Sequence, residues 1–381
     1  MYNANKLNEI NNKFGLKIKE IFKSKTFQNH CKKYIEKTPE MERIAKAILP
    51  VAMCNSPKNR VYLSLPDQTF DAFQNYIPTE RFYSYIDSIT GGKHQFEGKV
   101  LDTLQNYTYI GARGEGSYCT LIPTGVWFEG KQCGQLKVVI DPDKVVNNRT
   151  ALAHELFHSI DERHWNMNCM LHYSDHFLSE IGAMYMEDLA VKYFTEVSFK
   201  DNKELCEKLK TVNGDPHLFN NIYKARDAYL DYLIVTSVAG DKNSSQMAQE
   251  ELVNNYIVLW NERVLGSKIN QIFGFMTHQN HYDPMKEARY VIGASINEQL
   301  HNQDRPIAEK IDVITTLNNN LCHLANLNHT DETSTIDITT KHLGVDKIEA
   351  LTEGLANKIN TSVAQYDQKT DINETIDSRT R

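Results

Sequence analysis

The amino-acid sequence predicts an α+β fold that is predominantly helical, with a small β-sheet beside one central helix. Between about 100 and 145, short runs of β-branched and aromatic residues alternate with glycines, as is typical of strands joined by turns. Most of 5–50 and 176–330 instead carries apolar residues at helical spacing. Because a helical segment directly follows the last β-type run, we expect that helix to lie next to the sheet.

Four segments follow from these shifts in pattern. Residues 1–58 form a basic helical segment, since residues 1–60 hold 13 Lys or Arg against 5 Glu. Residues 59–200 form a mixed core that is β-rich at 100–145 and has helices at 150–163 and 178–195. A helical C-terminal subdomain covers 201–355. Residues 356–381 are polar and poor in large apolar groups, and we expect a flexible tail there.

The strand that precedes the central helix also indicates where an extended chain could pair with the sheet. Gln135 to Ile140 is the last β-type run before the turn at Asp141-Pro142-Asp143. An edge strand offers unpaired backbone groups to an extended peptide. We therefore predict 135–140 as a candidate sheet edge.

Composition limits the partners and the compartment. The seven cysteines are widely spaced and form no CxxC pair, which favours a reducing compartment. The N-terminal residues lead into no apolar segment of a signal peptide, and no run approaches the ~18 apolar residues of a membrane span. We expect a cytoplasmic protein, or one secreted into a host cell without a Sec-type signal peptide. Since aromatic residues are not interleaved with the lysines in a pattern typical of nucleic-acid binding, we expect no nucleic-acid partner.

The segment 151–161 carries the clearest chemical signal, His154-Glu155-x-x-His158. Residues four apart lie on the same face of a helix, so His154 and His158 can bind one tetrahedral zinc ion. Glu155 is rotated away from that face, where it can accept a proton from water at the metal. Apolar neighbours surround these polar groups, and a buried polar group without a partner is costly. The sequence therefore predicts a Zn2+ site on this helix.

A catalytic zinc site needs a third protein ligand, and two residues compete for that role. Glu180 follows His158 by 22 residues and begins an apolar helical segment with small residues beside it. His164 follows His158 by six residues, but Asp161 stands where enzymes with that spacing have a glycine. We predict Glu180 as the ligand and keep His164 as the alternative.

Other polar residues of 161–176 suggest supporting roles. Asp161 lies on the same helix face as His158 and could accept the outer N–H of a ligand histidine. The phenol of Tyr173 could donate a hydrogen bond to the oxyanion that forms when water attacks a carbonyl. His172 and His176 are alternatives for that second task.

The motif residues, in chain order, are similar to those of the catalytic domain of anthrax lethal factor and its relatives: His154-Glu155-x-x-His158-x-x-Asp161, Tyr173 and Glu180-x-x-Ala183. This resemblance implies that Glu155 is the general base, that Tyr173 assists, and that zinc is bound by His154, His158 and Glu180. This chain departs from the family in a shorter gap between the two helices and in Phe157, where a glycine is usual.

A second resemblance is to oligoendopeptidase F and the thimet-type oligopeptidases. It is carried by Thr150–Glu155 and by Glu180-Ile181-Gly182-Ala183. The segment from His281 to Gly293 loosely resembles their distal substrate-binding segment, which implies that Tyr290 contacts the substrate oxyanion. Both resemblances imply a zincin-like domain of the gluzincin type, with the small sheet next to the zinc-binding helix.

The sequence thus predicts a zinc-dependent endopeptidase that hydrolyses protein or peptide substrates with water activated by Glu155. The first resemblance favours a bacterial toxin or secreted effector that acts on host proteins. The alternatives are a non-catalytic binding protein on a zincin scaffold, a housekeeping cytoplasmic oligopeptidase, and a hydrolase of non-peptide amides or esters. The sequence indicates neither the cleavage site nor the oligomeric state.

Overall fold

The computed structural model describes residues 20–57, 72–111, 116–128, 131–141, 145–162, 175–212, 214–259, 262–278, 282–324 and 334–380. These residues form a predominantly helical structure with a three-stranded sheet, so the predicted α+β class is confirmed. Buried apolar side chains from Ile21 to Val363 belong to one hydrophobic cluster. The division into four segments stays a prediction.

The helices of the described residues are numbered in chain order, and their bounds are α1 Lys25–Lys37, α2 Met41–Ala52, α3 Ala72–Ile89, α4 Phe96–Asn106, α5 Val145–Glu162, α6 Ile181–Tyr193, α7 Lys203–Val212, α8 Asp215–Ala239, α9 Lys242–Leu259, α10 Glu262–His278, α11 Ala288–Asn302, α12 Ile307–Leu324, α13 Thr335–Leu343 and α14 Ile348–Thr380. A 3-10 turn at Asp175–Leu178 precedes α6, and a π-helical turn at Phe194–Ser198 follows it. None of these helices is both long enough and apolar enough to span a membrane.

The sheet consists of β1 (Thr108–Ile110), β2 (Tyr118–Phe128) and β3 (Lys131–Ile140), in the order β1-β3-β2. Strand β1 pairs with β3 in parallel, and β2 pairs with β3 antiparallel. The prediction that 135–140 is a sheet edge is wrong for 138–140, where β3 pairs with β1 on one side and β2 on the other. Residues 135–137 pair with β2, and β1 does not extend alongside them, so their other side is an edge among the described strands.

The sheet fixes the position of α5, because β3 packs against that helix. Val138 and Ile140 of β3 are fully buried and belong to the same hydrophobic cluster as Leu152 and Leu156 of α5. Helix α6 packs on α5, and α11 packs on α6 and α8. The chain thus surrounds α5 with β3, α6 and the helices beyond it.

In the C-terminal segment, which the sequence predicts as a flexible tail, α14 continues to Thr380. Leu355, Ile359 and Val363 stand four residues apart and are all buried, where α14 packs against α2 and α11. Their spacing gives a polar segment a narrow apolar stripe, which is sufficient to hold a helix on the core. The overall polar composition of 356–381 concealed this stripe.

Candidate metal centre

Helix α5 holds its polar residues in a strongly apolar setting. Its other face is fully buried, with Leu152, Leu156, Phe157 and Ile160 in the core. The hydroxyl of Tyr83 on α3 donates a 2.6 Å hydrogen bond to the carbonyl of Ala153. These contacts fix the rotation of α5 about its axis, so the histidines on its remaining face point to a defined place.

Glu180 stands directly before α6 and is only 2% exposed. Helix α11 approaches this position closely at Gly293. A Cβ atom built on Gly293 would lie 2.8 Å from Met184 Sδ and 3.5 Å from the Cβ of Glu180. The glycine therefore allows α11 to cover Glu180, which keeps its carboxylate out of bulk water.

His154, His158 and Glu180 bring one ligand atom each to a common point. Nε2 of His154 lies 3.0 Å from Oε2 of Glu180, and Nε2 of His158 lies 3.3 Å from the same oxygen. The two Nε2 atoms are 3.2 Å apart. Three lone-pair atoms thus form a nearly equilateral triangle on the solvent-poor side of α5.

The size of this triangle can be compared with the requirements of zinc. A tetrahedral zinc ion with ligand bonds of about 2.0–2.1 Å has its ligand atoms about 3.3–3.4 Å apart. The observed sides of 3.0, 3.2 and 3.3 Å are close to that separation. Imidazole nitrogen and carboxylate oxygen are also ligand types that zinc prefers. The three residues therefore fit a zinc ion without rearrangement of the backbone.

Glu187 orients the ring of His154. Its Oε2 lies 3.1 Å from Nδ1 of His154, the ring nitrogen that faces away from the triangle. A carboxylate that accepts the Nδ1–H holds the ring in the tautomer whose Nε2 carries a free lone pair. This is the role that the sequence assigned to Asp161, and at His154 it is performed by Glu187 instead.

Arg289 of α11 holds the other oxygen of Glu180. Its Nε lies 3.0 Å from Glu180 Oε1, so that carboxylate has one oxygen toward a guanidinium and one toward the histidines. The Nη2 atom of Arg289 donates a 3.1 Å hydrogen bond to the hydroxyl of Tyr290. One guanidinium thus connects Glu180 with Tyr290.

The pKa values of the cluster reflect these close contacts. Burial lowers the pKa of His154, but the carboxylates of Glu180 and Glu187 outweigh it and raise the pKa well above its ordinary value. Burial raises the pKa of Glu180, but the imidazoles of His158 and His154 hold it well below its usual range. Burial also opposes ionisation of Glu187, whose pKa nevertheless falls to about 2 because of His154. These contacts favour the charged forms of His154, Glu180 and Glu187.

Glu155 lies beside the triangle and is 8% exposed. Burial raises the pKa of its carboxyl group, while His154 and His158 counteract part of that effect. A carboxylate with a raised pKa is a stronger base than one in water, and proton transfer is most effective when the pKa approaches the working pH. Its environment therefore suits a group that accepts a proton.

The structure brings together five of the residues singled out in the sequence: His154, Glu155, His158, Glu180 and, through Arg289, Tyr290. Tyr173, His164 and His172 lie outside the described residues. Asp161 lies in α5 and His176 in the 3-10 turn, but their side chains are likewise outside what the structure describes. The ligand and catalytic roles of all these residues stay predictions at this point.

Sequence reasoning missed Glu187 and Arg289. A signal existed for Glu187, because it follows Glu180 by seven residues and so lies on the same side of one helix, two turns further on. Nothing local could have indicated Arg289, which is 109 positions from Glu180 in the chain and reaches it only through the packing of α11.

No protein-family model matches the chain, and no curated protein matches its sequence. Two solved structures are similar to it. One is PZ peptidase A with an inhibitor, at 12% identity and a TM-score of 0.49, with 85% of this chain and 57% of that chain covered. The other, assigned as an oligoendopeptidase F from Bacillus anthracis, has 11% identity and a TM-score of 0.47, with 91% and 56% covered. The chain spans little more than half the length of either, and the chemistry of its site rests on its own residues.

Proposed function

We propose that this chain is a zinc-dependent peptidase that hydrolyses internal bonds of protein or peptide substrates. The observation that carries the proposal is the triangle of His154, His158 and Glu180 atoms, whose sides match one face of a zinc tetrahedron. A zinc ion bound there would polarise the scissile carbonyl and lower the pKa of a water molecule.

The surrounding residues supply the rest of the chemistry. Glu155 accepts a proton from the attacking water and delivers it to the leaving amine, since its buried carboxylate is a strengthened base. Glu187 holds His154 in the ligating tautomer, and Arg289 holds Glu180 with one oxygen toward the histidines. The hydroxyl of Tyr290 accepts a hydrogen bond from Arg289, which also contacts Glu180. Tyr290 and Tyr173 are the candidates to donate a hydrogen bond to the oxyanion.

The first test is the zinc content of purified protein. We expect one zinc per chain in the wild type and in His164→Ala, and loss of zinc in Glu180→Ala, because Glu180 completes the triangle among the described residues. Glu196→Ala, which removes an exposed carboxylate shortly after α6, serves as the matched control and should keep its zinc. Loss of zinc in His164→Ala instead would show that the ligand assignment is wrong.

The second test separates binding of zinc from hydrolysis. Glu155→Gln should keep one zinc and reduce kcat for any peptide substrate by about 10²–10⁴-fold, because the amide cannot accept the proton of water. Glu196→Gln should leave kcat unchanged. Undiminished cleavage by Glu155→Gln would exclude Glu155 as the base. A toxin or effector role, and the export route that it would need, stay predictions of the resemblance to the lethal factor family.

A further inference from the structure

Lys224 of α8 projects toward the same region as Arg289 and Tyr290. Its Nζ lies 3.6 Å from the centroid of the Tyr290 ring, which is a close cation–π contact. The side chain is only partly exposed, and burial lowers the pKa of its amine. Among the described residues, no carboxylate forms an ion pair with it. A cation in that position is poorly solvated. Among the described residues its direct contact is the face of the Tyr290 ring, while Glu287, Glu180 and Glu187 favour its charged form through space.

Arg289 places a second cation against the same ring. Its guanidinium carbon lies 4.9 Å from the centroid of Tyr290, and its Nη2 donates to the Tyr290 hydroxyl. The charge of Arg289 disfavours the charged form of Lys224, and burial disfavours it more strongly. An anion close to both cations would reduce their mutual repulsion.

Two of the nearby carboxylates of the protein are already held by other side chains. Glu180 faces His154 and His158 with one oxygen and Arg289 with the other. Glu187 contacts His154 through Oε2. Glu287 favours the charged form of Lys224 through space but makes no ion pair with it in the part of the chain that the structure describes. Since no carboxylate of the described residues contacts Lys224 directly, its ammonium remains able to bind an anion from outside the chain.

We propose that Lys224, Arg289 and the Tyr290 hydroxyl form a binding site for a carboxylate of the peptide substrate. The ammonium, the guanidinium and the phenol are all hydrogen-bond donors, and a carboxylate can accept several such bonds. The site rests on the proposed function for its substrate class. The carboxylate site would determine substrate specificity, because it favours peptides that carry a negative charge near the bond to be cut.

The position of Arg289 limits how far that charge lies from the scissile bond. The same guanidinium contacts a predicted zinc ligand, Glu180, and one wall of the carboxylate site, Tyr290. One residue of an extended chain spans about 3.3–3.6 Å, so the carboxylate lies within about two residues of the scissile bond. It is either the C-terminal carboxylate of a short leaving segment or the side chain of an Asp or Glu.

Because Glu155→Gln should cleave peptides very slowly, peptide binding can be measured with this variant as purified. The probes are N-acetyl-trialanine as the free acid and as the amide, and the amide of N-acetyl-Ala-Glu-Ala with its Gln counterpart, each titrated by calorimetry. We expect the acid to bind at least about tenfold more tightly than the amide, or the Glu peptide than the Gln peptide, as for other charge-assisted hydrogen bonds. Equal affinities, or no binding of any probe at millimolar concentration, would overturn the proposal.

Two further variants in the same background assign the preference to Lys224. Lys224→Met keeps the length of the side chain without its charge and should abolish the preference, whereas Lys224→Arg should keep most of it. Lys286→Met removes an exposed ammonium three positions before Arg289 and should change nothing. A preference that survives in folded Lys224→Met would exclude Lys224. If that variant does not fold, Lys224→Gln replaces it, and the comparison of acid with amide at unaltered Lys224 already decides whether a carboxylate is bound.

Cleavage by the wild type separates this proposal from the peptidase assignment. Random peptide libraries with blocked N-termini, supplied as free acids and as amides, are digested and sequenced by mass spectrometry. Faster cleavage of the acids near their ends identifies the C-terminal carboxylate, and an Asp or Glu beyond the cut site in both libraries identifies the side chain. Cleavage that is indifferent to both means that the carboxylate site is wrong although the peptidase stands. Carboxylate binding that depends on Lys224, without cleavage of any peptide, means that the carboxylate site is right and the peptidase assignment is wrong.

Discussion

The molecule contains two buried clusters of ionisable side chains that are built on opposite principles. In the candidate metal centre, two imidazoles and a carboxylate direct ligand atoms at one point from α5 and from the start of α6. In the second cluster, on α8 and α10, the cation belongs to the protein, since Lys268 lies 2.8 Å from Asp227 Oδ2 and 2.9 Å from Asp231 Oδ2. Both are nearly closed to solvent, as Glu180 is 2% and Asp231 is 1% exposed.

The cluster around Asp231 satisfies its carboxylate entirely from within. Besides Lys268, the Tyr282 hydroxyl donates to Oδ1 at 2.6 Å, and the backbone N–H of Met285 donates to Oδ2 at 3.0 Å. Met285 has a positive φ of 57°, which is strained for a non-glycine residue and which this hydrogen bond helps to hold. The segment 282–287 leads directly into α11, so the cluster helps to fix the start of the helix that carries Arg289.

The difference between the clusters shows how to distinguish a structural charge network from a functional one. Asp231 has donors for both oxygens, which is how a buried ion is normally stabilised in a folded core. The histidines and Glu180 instead turn three metal-ligand atoms toward each other, and their partners on the far side, Glu187 and Arg289, fix that orientation. We therefore expect changes in the Asp231 cluster to alter folding, and changes in the metal centre to alter zinc binding.

The largest effect should follow from Lys268→Met, which leaves Asp231 buried without its cation. Breaking a buried ion pair by removing one partner costs about 3–5 kcal/mol in the free energy of unfolding. Urea denaturation measures this loss, while the folded fraction should still bind one zinc per chain. Lys242→Met, at the exposed start of α9, is the control and should be neutral. A loss below about 1 kcal/mol in the free energy of unfolding would mean that the Asp231 cluster does not stabilise the fold.

A smaller and different effect is expected from Glu187→Gln. The amide can still accept the Nδ1–H of His154, but it lacks the charge that makes the ring a stronger ligand. Loss of such an outer partner reduces metal affinity by about 10–100-fold, and we expect the lower end of that range. Competition with a chelator measures the change. Asp188→Asn, whose exposed carboxylate pairs with His301, is the neighbouring control and should bind zinc like the wild type. Unchanged zinc affinity in Glu187→Gln would show that Glu187 does not support zinc binding.

The sequence predicted the parts of these clusters that depend on local spacing. His154 and His158 share a face of α5 because of the helical period alone, and the short strands before α5 were recognisable from their glycines. Lys268, Asp227 and Asp231 gave no comparable signal, because lysine and aspartate are usually exposed and their pairing requires α10 to pack beside α8.

The order of the strands shows the same limit. The hydrophobic pattern located β3, but it could not show that β1 would pair with it in parallel. Register and neighbours depend on backbone hydrogen bonds between segments far apart in the chain, and a strand pattern alone does not specify them. Arg289 and Lys224 were missed for the same reason, since each reaches the site from a helix remote in sequence.

The smallest predicted effect tests whether close packing of α11 matters to the metal centre. Gly293→Ala would place a Cβ 2.8 Å from Met184 Sδ, and the flexible end of Met184 must move to admit it. Overpacking of this kind costs typically 1–3 kcal/mol, and we expect about 1 kcal/mol because only a side-chain end has to shift. Zinc affinity should fall no more than a few-fold, since the Glu180 atoms lie at ordinary contact distance from the new methyl group.

Gly98→Ala is a control that should stabilise the protein, whereas Gly293→Ala should destabilise it. Gly98 is exposed in α4, and no atom lies within 4 Å of a Cβ built there. Alanine should therefore stabilise the protein by about 0.5–1 kcal/mol through its higher helix propensity. If both alanines stabilise, α11 does not pack against Glu180 as closely as the structure indicates. If Gly293→Ala destabilises and also removes zinc entirely, the position of Glu180 depends on α11 more than on α6, and the metal centre extends over three helices rather than two.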